Sequence, residues 1–424
     1  MAGKNRHLTA LLAGAIVVCL AGRGDAVEAP RSSVVLHVDA NAPSGGDGTG
    51  AAPYSELPAA VAEARSRFLA SGARVKIQIE HGLYILTNTL LLDVPGLELR
   101  GSNVMPAAED GWPIDVLQPE TETRIVSAGP FAGAPLIHIA PSGSELTGSG
   151  VTIANLTVDH NREGNAILIE RAQGFTVKGC LLTRASPGGV LARLSSGTIA
   201  HNYITGTGCG VCVGGGNASS PASVRIVGNR SVRNANGGVL LDAGVTGTDD
   251  SHATLSAVIQ GNDLSDNTGA PLNSFGIRVF TSPLGPFLLA NDNHVTALIV
   301  GNRIRSNKIG VVIDAGFPHR AVDSSVDPRL FRGSLDVTLR DNDVAANLSA
   351  PALMTFTRNS AALSPAQLSS WKYLQDSSFR ISDPQDSLAD YWLDHPEVDP
   401  IDGRTLQNVL TINGIRIENG RTIP

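Results

Sequence analysis

The chain has 424 residues, 39 acidic against 32 basic side chains, a formal net charge of −7 and only 4% aromatic residues. A mildly acidic chain without a basic run lacks the cationic face that phosphate backbones demand, so nucleic acid is excluded as an expected partner. Its length exceeds the usual size of one globular core, and a recurring motif points to a repeat in which each unit buries only its share of a continuous core.

Lys4 and Arg6 precede an apolar run from Leu8 to Leu20, and Ala26 and Ala29 follow as cleavage positions. This is the pattern of a secretory signal peptide over residues 1–29. The run is shorter than the roughly 20 apolar residues that a bilayer span needs, and no later segment is apolar enough, so a secreted or periplasmic chain without a membrane span is expected. Cys19 follows Val18, where a lipidated cysteine would follow a small residue. After cleavage Cys180, Cys209 and Cys212 remain, an odd number that cannot complete a disulfide framework. Cys209-Gly-Val-Cys212 reads as small apolar residues in a tight coil, with a local disulfide as the alternative.

Residues 30–100 are expected to hold the N-terminal cap and first coils. Val34 to Val38 reads as a strand, and Ser44 to Gly50 as a Gly-rich turn. Glu56 to Ala70 carries Leu57, Val61, Ala64 and Phe68 at helical spacing. Such a helix can be laid over the first coil, whose edge would otherwise stay open. Residues 104–124 form a polar, Pro-containing insertion.

The repeat fills residues 101–360. An apolar strand, often Gly, then Asn, begins each copy: Ile226-Val-Gly-Asn229, Ile259-Gln-Gly-Asn262, Ile299-Val-Gly-Asn302 and Leu339-Arg-Asp-Asn342. Five residues later come Asn234, Asn267, Asn307 and Asn347. Asn155, Cys180 and Asn202 extend the first position backwards, giving intervals of 25, 22, 27, 33, 40 and 40 residues. Short Val/Ile/Leu runs punctuated by Gly fit parallel strands, one per coil. An Asn at the same corner of successive coils can satisfy turn backbone groups above and below it, which is a structural role. Of the Asn-x-Ser/Thr sequons at Asn155, Asn217, Asn229 and Asn347, only Asn217 falls outside this ladder and is a credible glycan acceptor, in a eukaryotic host. Residues 361–424, with Trp371, Trp392, Tyr373, Tyr391 and the strand-like Val409–Ile417, are expected to wrap the stack as a C-terminal tail rather than form a second domain.

The opening His37-Val-Asp39 through Gly-Asp-Gly, the His81-Gly-Leu-Tyr84 turn, Leu156-Thr-Val-Asp159-His-Asn161 and the Gly-Asn coils carry a resemblance. Over about residues 34–360 the chain resembles right-handed parallel β-helix repeat proteins of the pectate-lyase-like superfamily. The resemblance implies an all-β, right-handed parallel β-helix solenoid, here with an N-terminal capping helix and a wrapping tail. It says little about activity, because the superfamily hosts lyases, hydrolases, epimerases and proteins with no known reaction. Asp159-His160-Asn161 is similar to an element of pectate lyases whose Asp helps bind calcium, but their Arg-rich partner motif is absent. The polygalacturonase motifs and the Asp-Pro-His-Asp motif of alginate epimerases are absent as well.

Three insertions, at residues 243–256, 281–295 and 315–334, follow the same strand in successive coils and are expected to stack into one wall. They hold Asp249, Asp250 and His252, then Asp292 and His294, then His319, Arg320 and Asp323. Five of the ten Phe fall within residues 275–331, and Phe can offer an apolar face to a sugar ring. At the base of the wall, Gly238-Val-Leu-Leu-Asp242-Ala-Gly matches Gly310-Val-Val-Ile-Asp314-Ala-Gly, placing Asp242 and Asp314 at one outward position. Glu170, Arg193 and Phe280 occupy that position in other coils. One coil between the two Asp would separate them by about 9–10 Å, twice the strand spacing, near the upper end for inverting glycosidases and too wide for retaining ones. Arg278, from the coil between, is placed to hold both carboxylates ionised or to neutralise an acidic sugar.

The candidate catalytic residues are therefore Asp242, Arg278 and Asp314, and the candidate substrate-binding residues are His252, Phe280, His294, His319 and Arg320. The structural alternative for the two Asp is turn chemistry before Ala-Gly, and for the loop histidines plain solvent exposure. The expected function is action on, or binding of, a polysaccharide or cell-surface glycan, as a polysaccharide lyase or inverting glycoside hydrolase. The alternative is a non-catalytic glycan-binding or structural surface or periplasmic protein. No cofactor is expected, the acidic loops leave calcium open, and a monomer is expected.

Overall fold

The computed structural model describes residues 33–104, 122–217, 222–243, 253–269, 274–280, 293–314, 333–344, 346–347 and 350–355, and the strands Ser377–Ile381, Tyr391–Asp394, Asn408–Ile412, Ile415–Glu418 and Arg421–Ile423. The expected signal peptide lies outside them.

Each coil spends its strands in a fixed order. Ser196–Ala200 enters a fourteen-stranded sheet, Tyr203–Thr205 a six-stranded one and Cys209–Gly214 a ten-stranded one; the next coil repeats this with Ala222–Val227, Arg230–Val232 and Gly237–Asp242. All pairings between successive coils are parallel, as in a parallel β-helix. One register position of the fourteen-stranded sheet carries Ile199, Ile226, Ile259, Ile299 and Leu339, each 2% exposed or less. Stacking like on like lets every coil bury a branched side chain, worth about 1.5–3 kcal/mol each. In the ten-stranded sheet Gly210, Gly238 and Gly276 share one position. A Cβ on Gly210 would lie 2.6 Å from the Gly238 carbonyl oxygen, and one on Gly238 2.7 Å from that of Gly276, so only glycine allows these strand entries to nest.

The corner asparagines form two hydrogen-bonded ladders. In the first, the backbone N–H and side-chain amide of Asn202 both donate to Asn229 Oδ1, at 3.0 and 2.9 Å, and Asn229 repeats this onto Asn262, Asn262 onto Asn302 and Asn302 onto Asn342. The second amide hydrogen reaches back to the carbonyl of the preceding coil, as Asn262 Nδ2 does to Ile226 O at 2.9 Å. In the second ladder, Thr207, Asn234, Asn267 and Asn307 each donate a backbone N–H to the Asn one coil on.

Asn155 is not a rung. It aligns with Gly179, His201 and Gly228 and holds the left-handed corner at φ 59°, a conformation that Asn tolerates better than most residues. The ladder position of its coil is Leu156, apolar like Cys180 above it, so the ladder proper begins at Asn202. The displacement by one residue leaves Asn155 half-buried rather than buried.

At the N-terminal end the helix Leu57–Ser71 packs against Ser33–Val38 and Arg74–Ile79. Arg65 on this helix pairs with the fully buried carboxylate of Asp93 at 2.9 Å, tying the helix to the coil beneath. At the other end, parallel stacking continues through Ser377–Ile381 and Tyr391–Asp394 to Asn408–Ile412, and among the described strands there Ile415–Glu418 and Arg421–Ile423 turn antiparallel. Those strands therefore extend the sheets, where a wrapping tail was expected from residue 361; they lack the Asn rung that made earlier coils recognisable.

Replacing Asn262 by Ala strips partners from buried backbone groups in two neighbouring coils and is expected to cost about 2–4 kcal/mol in urea unfolding. Asn155→Gly, at the left-handed corner, is expected to change stability by less than about 1 kcal/mol. Equal losses at the two positions would return Asn155 to the ladder.

Candidate functional site

The connections from the ten-stranded sheet to the fourteen-stranded sheet set the site. In two early coils they span only residues 171–172 and 194–195. After Asp242, Phe280 and Asp314 they span residues 243–253, 281–292 and 315–332, so the long connections do leave one corner of three successive coils. His252, His319 and Arg320, with Asp249, Asp250, Asp292 and Asp323, lie outside the described residues.

The register of the ten-stranded sheet pairs Glu170 with Arg193, then runs through Gly214, Asp242, Phe280 and Asp314 at the same position. Val239, Leu241, Ile277 and Val279 are fully buried and face the core, so the alternate residues Leu240, Asp242, Arg278 and Phe280 belong to the outer face. Asp242 and Asp314 are thus two strands apart, about 9–10 Å. Arg278 sits in the intervening strand with its guanidinium 4.8 Å from the centre of the Phe280 ring.

Two expected binding residues are placed differently. Phe280 is 2% exposed, its ring stacked under Arg278, so it supports the guanidinium rather than offering a free face. His294 lies in the strand Asn293–Val300 of the fourteen-stranded sheet, paired with Thr254, and its Nε2 is 3.0 Å from Thr296 Oγ1. Val295, Ala297 and Ile299 alternate into the core, and that strand runs three residues into the expected insertion 281–295. Asp242 is itself 1% exposed, so its carboxylate is not on an open surface.

Two further ionic groups escaped sequence reasoning. On the outer face of the ten-stranded sheet, Glu170 accepts from His138 Nε2 at 2.8 Å and from Arg193 Nε at 2.5 Å. The hydrogen bond from His138, with Arg193 beside it, brings Glu170 down to about 2 despite burial. Glu170 and Arg193 stood in the outward column already; His138 becomes visible only once Ile137-His-Ile139 is set in register with Ile167-Leu-Ile169.

On the six-stranded sheet, Asp159 is clamped by Arg124 and Arg184, with Arg184 Nε at 2.7 Å. Burial works to raise Asp159, but the hydrogen bonds from Arg184 and Arg124 outweigh it and hold the carboxyl below its ordinary value. His160 Nε2 donates to Ala134 O, 2.8 Å away, and the ring stands edge-on to Phe131. Burial pushes its imidazole below the ordinary value. The Asp-His element therefore closes a packed corner, with its carboxylate committed to two guanidiniums rather than to calcium. Among the described residues no three His, Cys, Asp or Glu side chains gather as a metal site. Cys180, Cys209 and Cys212 are free thiols, so the local disulfide is not formed. A cavity of about 580 Å³ lies at the N-terminal end, between the helix and Leu83–Leu91, on coils remote in sequence from Asp242.

Glu122, 6% exposed, is pushed up by burial to about 7 from an ordinary 4.5, with Arg124 opposing and Asp159 adding to the rise. Between those values the folded chain keeps a proton that the unfolded chain has released, so stability falls as pH rises from about 4.5 to 7. Urea unfolding at pH 4.5 and pH 8 is expected to show a difference of about 1–3 kcal/mol from this group, removed in Glu122→Gln. A Glu122→Gln variant with the same slope as wild type contradicts the assignment.

A family model described as "Right handed beta helix region" matches residues 137–328, which agrees with the parallel coils and gives their hand. No curated protein matches. Among solved structures, the chain is similar to the mannuronan C-5 epimerase AlgE6 A-module of Azotobacter vinelandii, at 14% identity over 84% of this chain and 89% of that one, with a TM-score of 0.42. The DFA-IIIase of Arthrobacter chlorophenolicus A6 without its lid is 16% identical over 78% and 95%, with a TM-score of 0.35. The catalytic domain of a GH87 alpha-1,3-glucanase is 13% identical over 84% and 66%, with a TM-score of 0.39.

Proposed function

We propose that this is an exported β-helix protein that acts on a polysaccharide at Asp242, Arg278 and Asp314. The observation that carries the reading is the register: two carboxylate positions on one row, two strands apart, with Phe280 between them and the guanidinium of Arg278, from the same intervening strand, over its ring. A separation of about 9–10 Å leaves room for a water beside a glycosidic bond. One carboxyl would protonate the leaving oxygen while the other activates that water. If the sugar is a uronate, Arg278 would neutralise its carboxylate and favour transfer of the adjacent proton to one Asp carboxylate. The glycosidic C–O bond would break while its oxygen takes a proton from the other Asp, leaving the unsaturated end of a lyase product. Phe280 would hold the guanidinium over the row by stacking.

A second reading, glycan binding without turnover, draws on the exposure of the row. Asp242 and Phe280 are buried, whereas Arg193, two strands away, keeps a third of its side chain exposed.

Incubating the exported protein with polyuronates and neutral glycans separates the readings. Ultraviolet-absorbing unsaturated ends mark a lyase, and new reducing ends without them a hydrolase. Asp242→Ala and Asp314→Ala are each expected to lower turnover by about 10²–10⁴-fold, with Asp242→Asn as a variant of unchanged shape. Turnover equal to wild type in these variants, or none by wild type, removes the catalytic reading.

A further inference from the structure

The trio His138, Glu170 and Arg193 has the construction of a ligand site that the candidate catalytic row does not explain. It lies on the same outer face, and Arg193 shares the register position of Asp242 with only Gly214 between them. The two residues are therefore about 9–10 Å apart along the solenoid axis, and the intervening position carries no side chain to block the path. All three side chains are partly exposed, at 24%, 19% and 34%, while the Asp242 and Phe280 positions farther along the row are closed.

The hydrogen-bond inventory sets what the trio can recognise. Glu170, held ionised, only accepts. Its Oε2 lies 2.8 Å from His138 Nε2, so Nε2 must donate, and Nδ1 is the ring nitrogen left for a ligand, where a hydroxyl can pair with it as donor or as acceptor. Arg193 spends Nε and one terminal nitrogen on Oε1. Among the described residues, its other terminal nitrogen and His138 Nδ1 have no protein partner. The group thus offers an Arg193 N–H and His138 Nδ1 from the two strands that flank Glu170, both side chains fixed by a carboxylate that also neutralises the guanidinium. A guanidinium already paired with a carboxylate is poorly suited to capturing an anion and well suited to hydroxyl groups, which donate and accept at once. Holding each side chain in advance lowers the ordering cost of binding.

We propose that His138, Glu170 and Arg193 form a binding subsite for hydroxyl groups of a sugar, so that a glycan chain lies along the solenoid axis from this trio toward Asp242. The subsite rests on the polysaccharide reading above but not on turnover, and its test reads binding alone.

Native electrophoresis through gels containing graded alginate, polygalacturonate, dextran or inulin gives an apparent Kd without requiring catalysis. At least one polymer is expected to retard the wild-type chain. On that polymer Arg193→Ala and His138→Ala are expected to raise Kd by about tenfold or more, the loss of a hydrogen bond to a charged or fixed group, with Arg193→Lys between. Glu170→Gln, which keeps shape but frees the guanidinium, is expected to weaken binding as well. Circular dichroism and the melting temperature of each variant show that it is folded, and the Lys and Gln variants serve if an Ala variant is not. Folded variants that bind as wild type does, or a wild-type chain retarded by none of the four polymers, overturn the subsite. Binding that depends on Arg193 in a chain with no turnover supports the subsite while removing the catalytic reading. Asp242→Asn that binds normally but does not turn over supports both.

Discussion

Everything in this molecule depends on one coil's backbone being hydrogen-bonded to the next at identical register. Strand-to-strand bonds do this along the flat faces, but a corner cannot, because its N–H groups point out of the sheet plane. The asparagines solve that problem: each side-chain oxygen takes a backbone N–H and an amide hydrogen from the coil before it, and each amide returns a hydrogen to a carbonyl. A corner so satisfied can be fully buried at little cost. Nothing in that arrangement limits the length of the connection that follows elsewhere in the coil. The rungs from Asn262 to Asn302 and from Asn302 to Asn342 each enclose 40 residues, yet their geometry matches that of the 27-residue rung from Asn202 to Asn229.

This division between a fixed frame and free corners explains what could be read from sequence. The apolar alternation and the Asn spacing are strictly local and periodic, so the coil order, the capping helix segment and the shared register of Asp242 and Asp314 were legible. Asn155 misled because Asn suits two neighbouring jobs, the ladder rung and the left-handed residue before it, and only the register of Lys178 against Ala154 separates them. His294 misled for a related reason: a strand's start has no marker when the preceding connection is also mixed in character. Burial of Asp242 and Phe280 could not be anticipated, since alternation tells which face a residue occupies and not what covers that face.

Pairings between side chains were the least visible feature. Arg124, Asp159 and Arg184 are far apart in the chain and meet only because three coils stack. From Asn229 on, the residue after each first-ladder Asn shows the same effect. Arg230, Asp263, Arg303 and Asp343 bridge one another in sequence, with Asp263 3.8 Å from Arg230 and 3.9 Å from Arg303. Such exposed pairs add little stability individually. Their alternating sign does disfavour a slip by one coil, which would set like charges together, so they reinforce the register that the asparagines hold from inside.

The rigidity of the frame also turns the outer row of the ten-stranded sheet into a ruler. Positions along it recur at about 4.8 Å, and a side chain there can change neither its spacing nor its direction without breaking the stack. Chemistry on such a surface must come from which residues occupy the row and from what the corners add beside it. The early coils add almost nothing, leaving Glu170 and Arg193 to bond each other on a partly exposed face. The later coils add long connections, and there the row changes to a buried carboxylate and a guanidinium held on an aromatic ring. One row thus passes from an exposed, charge-balanced group to an enclosed one. On the proposed reading a linear glycan would use both, a stretch that grips in solvent and a stretch that excludes it where bonds are made or broken.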